Sequence, residues 1–397
     1  MTSNERKNTF LKHQGQTNQS PYLIDVERAE GIYIWDKSGK RYMDMIAGVA
    51  VNNIGHRNPT VVQAIKDQVD KHLHVMVYGE FIQDSQIALA ENLKSVLPDS
   101  LDCSYIVNSG TEANEAALKV AKRYTGRTEI IAFKGSYHGS THGSMSISGN
   151  ETKKAPFRPL LPAVKLIRFM NEADLNLITT ETAGVIVEPI QGDAGVRIPS
   201  KTYLQALRKK CSEVGAQLIF DEVQTGIGRT GTLFAFERFD VIPDILTLGK
   251  ALGGGMPIGA FISSYEKMYT LTHQPMLGHI TTFGGHPVVC AAANACLDVL
   301  KAENWIQEVE GKGAYLEDRM IKHPKVQEIR RAGLMFAIDL GSFDEVKQVV
   351  DYCLEKGLIG FWFLSCPNSF RLSPPISITQ TEIEDAGKII MEALDQL

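Results

Sequence analysis

From Asp102 to Ser264, short apolar runs alternate with amphipathic stretches. The runs are SYIVN, EIIAF, AGVIVEPI, AQLIFDEV, DILTLGK and GAFISS, and helical segments such as SKTYLQALRKKCSEVG separate several of them. Strands buried on both faces read as continuous apolar runs, and helices provide the crossovers between them. The alternation predicts an α/β fold on a mostly parallel sheet covered by helices. Open sheets of this kind bind ligands at the carboxyl ends of their strands. Glu188, Asp221 and Lys250 fall at such ends.

Asp221 closes LIFD and Lys250 closes ILTLGK, and each is followed by a Gly-rich loop. An amine and a carboxylate on neighbouring buried strands suit chemistry on an aromatic aldehyde. The amine forms a Schiff base, and the carboxylate keeps a ring nitrogen protonated. The plainer readings are an exposed lysine and a structural ion pair. Two acids, in VIVEPIQG and LIFDEVQTG, weigh against them, because an unpartnered buried acid is costly. A desolvated lysine near another cation loses basicity and becomes a better nucleophile.

In VNSGTEANEAALK, Ser109 and Glu112 read as a capping box. Ala113, Ala116, Ala117, Val120, Ala121 and Tyr124 share one helical face. Gly110 lets the backbone approach a ligand, and a helix N-terminus suits a phosphate, although a capped helix alone would look the same. In KGSYHGSTHGS, Tyr137 is placed to stack on a planar ligand. His138 and His142 are not read as a metal pair, since Gly139 disfavours a helix between them, and no H-E-x-x-H occurs. LGKALGGG lacks phosphate-loop spacing, because Ala251 follows Lys250. Arg371, between an apolar residue and two prolines, is either a surface arginine or a rigid bidentate grip for a carboxylate.

With 397 residues the chain can hold two domains. A net charge of -5 argues against nucleic-acid and anionic-membrane surfaces. The six cysteines are scattered without a C-x-x-C pair and read as reduced, which fits a cytoplasmic protein. The start MTSNERKNTF lacks the apolar core of a signal peptide. The first twenty residues read as loose or draped on a partner. GIYIWDKSGKRYMDMI reads as a hairpin about Lys37-Ser38-Gly39, and a helix follows Pro59. After residue 290 long helices are expected, including PVVCAAANACLDVLKAENWIQEVE, with short strands MFAIDL and LIGFWF between them. Thr379 and Glu382 form a capping box for the last helix. The expected division is 1–55 joining a small domain, 56–290 as the large domain and 291–397 as the small domain.

NSGTEANEAALK, YHG, VEPIQG, DEVQTGIGRTG, GKALGGGMPIGA and TTFGGHP occur in that order. Together they make the chain resemble the class III pyridoxal-phosphate aminotransferases of fold type I. Acetylornithine, ornithine and 4-aminobutyrate enzymes are nearest in pattern. The resemblance implies a large domain with a mostly parallel seven-stranded sheet, a smaller α/β domain and a pyridoxal 5'-phosphate cofactor. It implies that Lys250 binds the cofactor covalently and shuttles a proton, and that Asp221 pairs with the pyridinium nitrogen. Gln224 would bond the phenolic oxygen, with Val223 on one ring face and Tyr137 on the other. His138 belongs to the cofactor motif, and Glu188 would support it. Gly110 and Thr111 would hold the phosphate with Thr282 of a neighbouring subunit, making a homodimer with shared sites. Arg371 would take the α-carboxylate of 2-oxoglutarate or glutamate.

Three departures bear on the amino donor. Ser140 stands where acetylornithine and ornithine enzymes carry Arg, and Val49 where ornithine enzymes carry Tyr. Asp193 replaces a Glu whose carboxylate masks the Arg when an ω-amino donor binds. His286 and Ile280 also differ from the usual residues. The implied activity is transfer of an amino group from an amine or ω-amino acid to 2-oxoglutarate or pyruvate. An aminomutase or decarboxylase on the same cofactor, or a non-catalytic cofactor-binding protein, are the alternatives.

Overall fold

The computed structural model describes residues 1–397. Seven strands form the central sheet, in the spatial order Cys103–Val107, Gly259–Ser263, Ile245–Gly249, Gln217–Asp221, Thr182–Val187, Glu129–Phe133 and Val164–Ile167. Only Gly259–Ser263 runs against its neighbours. Every apolar run named above becomes one of these strands. Val164–Ile167 was not anticipated, because it is short, half-exposed and at the sheet edge, where the apolar signal fades. The strands from Thr182, Gln217, Ile245 and Gly259 are buried at every position.

Helix Gly110–Thr125 lays Ala113, Ala116, Ala117, Val120 and Ala121 on the sheet and ends at Gly126, whose φ of 69° suits glycine. Tyr124 departs from that face. It is 37% exposed and bonds Glu266. The capping box is also only half formed. Ser109 Oγ accepts from the Glu112 amide, but the Glu112 carboxylate turns back to the amide and side chain of Asn108. The box at Thr379 and Glu382 is complete.

The N-terminus carries an element the sequence reading did not anticipate. Ser3–His13 is a helix closed by a Thr2–Glu5 box, although none of its residues is buried. The hairpin Tyr33–Asp36/Arg41–Asp44 continues into Leu358–Ile359, which pairs parallel with Arg41–Asp44. A further sheet orders Glu328–Ala332, Met335–Asp339, Ser369–Leu372 and Phe361–Trp362. LIGFWF is therefore two strands in two sheets, divided at Gly360, where a Cβ would meet the Phe370 ring at 2.3 Å. PVVCAAANACLDVLKAENWIQEVE is likewise two helices, Pro287–Ala302 and Trp305–Met320, broken at Glu303-Asn304. The first packs on helices Pro59–Lys71 and Asp84–Lys94, so the expected boundary at residue 290 falls inside it. No helix is long and apolar enough to cross a membrane.

Candidate active site

Asp221 ends its strand with a carboxylate that is only 4% exposed. Its Oδ2 accepts from Asn114 Nδ2 at 2.7 Å and from His138 Nδ1 at 2.7 Å, and its Oδ1 accepts from the Val223 amide at 3.0 Å. Asn114 is held in turn. Its Oδ1 accepts from Thr247 Oγ1 at 2.8 Å, and its Nδ2 also donates to the His138 carbonyl at 2.8 Å. The amide orientation is thus fixed by its neighbours, and the carboxylate cannot rotate without breaking a bond. His138 Nε2 is buried without a partner.

Glu188, 5% exposed, accepts from the Tyr137 amide at 2.9 Å and the Gly192 amide at 3.0 Å. Burial pushes its carboxyl up to about 7. Lys250 follows the next strand with a φ of 44°, a left-handed conformation that costs a non-glycine residue energy and gathers at functional sites. Burial lowers the basicity of its amine, and the Arg371 charge adds to the effect.

One cavity of about 260 Å³ is lined by Gly110, Thr111, Asn114, Tyr137, His138, Ser140, Glu188, Asp221, Val223, Gln224 and Lys250, among others. Gly110 belongs there for a steric reason. A Cβ on it would meet a Val223 methyl at 2.6 Å. Gly192 leaves room for Gln224 in the same way, since a Cβ would meet its Oε1 at 2.4 Å. Helix Gly110–Thr125 begins at this cavity, so its unpaired amides face it.

The other anticipated residues lie outside that lining set. Arg371 is 7% exposed, sits with its guanidinium 5.2 Å from the Phe363 ring centre, and donates to no protein acceptor. Burial lowers its pKa, opposed by Asp193 and Glu188. Asp193 is 7% exposed, with its oxygens taken by Ser365 Oγ at 2.6 Å and the Leu364 amide at 3.3 Å. Val49 is 44% exposed in a turn where Ala47, Gly48, Val49 and Ala50 all have positive φ. Asp44 steadies that turn by accepting from the Ile46 and Gly48 amides. Thr282 is exposed beside exposed Ile280 and Phe283 and does not reach the cavity of its own chain.

Sequence reasoning missed Asn114, Thr247 and Arg229. Asn114 and Thr247 were visible as single polar residues in otherwise apolar stripes. Arg229 is fully buried and bonds only neutral groups, the carbonyls of Leu334 and Pro374 and the Asn53 side chain. Burial brings it down to about 9. It fastens the end of the strand pair that carries Arg371.

Residues 14–394 match the class-III aminotransferase family. The chain is 38% identical over 376 residues to a [LysW]-aminoadipate semialdehyde/glutamate semialdehyde transaminase of Sulfolobus acidocaldarius, covering 94% of this chain and 95% of that one. It is 39% identical over 381 residues to an acetylornithine aminotransferase of Methanopyrus kandleri, with the same coverages of 94% and 95%. The solved ornithine aminotransferase of Toxoplasma gondii, described with partial occupancy of PLP at its active site, superposes with a TM-score of 0.92 at 30% identity, over 100% of this chain and 94% of that one. The residues present here fit pyridoxal phosphate. They offer a buried amine for the aldehyde, an immobilised acid for the ring nitrogen, and a helix N-terminus without a Cβ at its first residue for the phosphate. This chain belongs to the class-III aminotransferase family, whose pyridoxal-phosphate chemistry and fold type I architecture it shares.

Proposed function

We propose that the enzyme moves an amino group from an amine or ω-amino acid, of the acetylornithine, ornithine or 4-aminobutyrate kind, to 2-oxoglutarate or pyruvate in a ping-pong cycle. The observation that best supports this is the single cavity shared by the Lys250 amine and the immobilised Asp221 carboxylate. Bound pyridoxal phosphate supplies an aldehyde for the amino group and a ring that draws electrons from the substrate carbon. Lys250 Nζ, made less basic by burial, would hold the cofactor through its aldehyde and, when free, would move a proton at the substrate carbon. Asp221, oriented by Asn114 and His138, holds a proton on the ring nitrogen.

Val223 and Tyr137 would flank the ring and Gln224 would donate to its phenolic oxygen, all three lining the cavity, while Glu188 fixes the Tyr137 backbone. Gly110 and Thr111 receive the phosphate at the helix start. Arg371 grips the α-carboxylate of the acceptor, and Val49 and Asp193 border the donor. Thr282 of a second copy completes the phosphate site in a homodimer. Supporting this, apolar Phe81, Ile82, Met276, Leu277 and Phe283 are exposed on a single chain. The same reading places cofactor binding in 56–290, closed over by 1–55 and 291–397, in a cytoplasmic enzyme.

The test combines trapping with turnover. Borohydride should fix the cofactor to the wild-type chain and not to Lys250→Ala, which should also lose transamination across a panel of acetylornithine, ornithine, 4-aminobutyrate, lysine and β-alanine. Wild-type turnover in that variant would refute the assignment.

A further inference from the structure

Lysines ordinarily lay their carbon stem on the protein and keep the ammonium in water. Lys153 does the reverse. Its side chain is 39% exposed, yet its Nζ is shielded from solvent and donates no hydrogen bond. The nitrogen points inward and lies 3.8 Å from Asp193 Oδ2. Asn150 caps the short turn Glu151–Lys154 that carries it, accepting from the Lys153 amide at 3.3 Å. The same Asn150 donates to Ser365 Oγ at 2.9 Å, and Ser365 Oγ donates to Asp193 at 2.6 Å. The Leu364 amide takes the other Asp193 oxygen at 3.3 Å.

Every favourable contact of the Asp193 carboxylate therefore points to the 150–153 and 364–365 segments. Arg371, for which Asp193 is the strongest opposing charge, lies outside ion-pair range of it. The other nearby acid, Glu188, has both oxygens engaged by backbone amides. Arg371 is left as a buried guanidinium with no carboxylate of its own chain.

We infer that Ser365 and Lys153 form a latch that holds Asp193 away from Arg371, making them positioning residues that keep Arg371 open to the carboxylate of a small organic acid. The latch sets specificity. While it is closed, a ligand bearing a carboxylate beside the reacting carbon meets no competitor at Arg371. Once it is loosened, Asp193 is free to swing toward Arg371 and displace that ligand. This inference rests on the proposed role of Arg371.

The experiment measures binding of glutarate, a dicarboxylate with no reacting carbonyl, to the holoenzyme by calorimetry. Cofactor occupancy is checked by absorbance. Ser365→Ala should weaken glutarate about tenfold, the effect of one competing close charge pair, with occupancy unchanged. Asp193→Asn cannot form that pair, so Ser365→Ala/Asp193→Asn should bind glutarate as Asp193→Asn does. Wild-type affinity in Ser365→Ala, or a loss that persists in the double variant, would overturn the latch. Should Ser365→Ala fail to fold, Lys153→Met with and without Asp193→Asn decides the matter by the same rescue. Arg371→Ala, run in parallel, separates the two claims. If it keeps glutarate affinity, the role given to Arg371 is wrong. If it loses affinity while Ser365→Ala does not, only the latch is wrong.

Discussion

On the sheet side of the cavity, every buried acid is fully engaged. Asp221 accepts from Asn114, His138 and the Val223 amide, and Glu188 accepts from two backbone amides. On the side built from Ser369–Leu372 and its surroundings, two buried guanidiniums have no acid in ion-pair contact. Arg229 bonds only carbonyls and an amide side chain, and Arg371 bonds no protein acceptor at all. The difference fits the proposed division, with cofactor on the sheet side and substrate carboxylate at Arg371. A cofactor that stays bound benefits from groups fixed in advance, which need no reorganisation during reaction. A substrate carboxylate that arrives and leaves needs a donor that the protein has not already satisfied.

The contrast can be broken most sharply at Asp221. Asp221→Ala should cut turnover about 10²–10³-fold, the scale for losing a preorganised electrostatic group, while leaving glutarate affinity near wild type. A parallel loss of glutarate binding would show that the two sides are not independent. Arg371→Ala should raise KM for 2-oxoglutarate roughly 10–100-fold, as expected for a lost charge-assisted contact, with borohydride trapping unaffected. If kcat falls and KM does not, the arginine serves the cofactor side instead.

Asn114→Leu tests whether the sheet-side network acts through orientation. It removes a donor to Asp221 and leaves Thr247 Oγ1 only the long 3.5 Å contact to the Phe220 carbonyl, so turnover should fall about tenfold and stability by about 2 kcal/mol. Unchanged activity at lowered Tm would make the network purely structural. The smallest expected effect is a pH slope. Glu188 is raised by burial to about 7 from 4.5, so the native state holds its proton more tightly than the unfolded chain does. Its contribution is fully present below pH 4.5 and is lost as pH rises to about 7. Denaturant unfolding should show stability falling by up to about 3 kcal/mol across that window, and Glu188→Gln should flatten the slope. An identical slope in the variant would assign it to other groups.

Much of the sheet was legible because its signals are local. An apolar run such as AQLIFD, or the Thr379–Glu382 box before the last helix, is complete within a few residues. The positions of Lys250 and Asp221 were readable for the same reason, since Asp221 ends its strand and Lys250 directly follows the next one. Asn114 was not, because its meaning lies in Thr247, 133 positions away, and in Asp221, 107 positions away. The misjudged helix after Pro287 has a similar cause. Its apolar pattern runs on through AENW, and nothing local shows that the chain turns at Glu303-Asn304.

By itself, the sequence determined the α/β alternation, the strand ends that carry the amine and the acid, and Gly110 as the point of close backbone approach. These follow from periodicity, burial and steric size, which act over a turn or a strand. Only the tertiary structure decided which buried charges are partnered. Asp193 lies with Ser365 and Lys153, Arg371 with no acid, and Arg229 with neutral carbonyls, because a hydrogen bond depends on where the fold brings two distant side chains and not on the spacing between them in the chain.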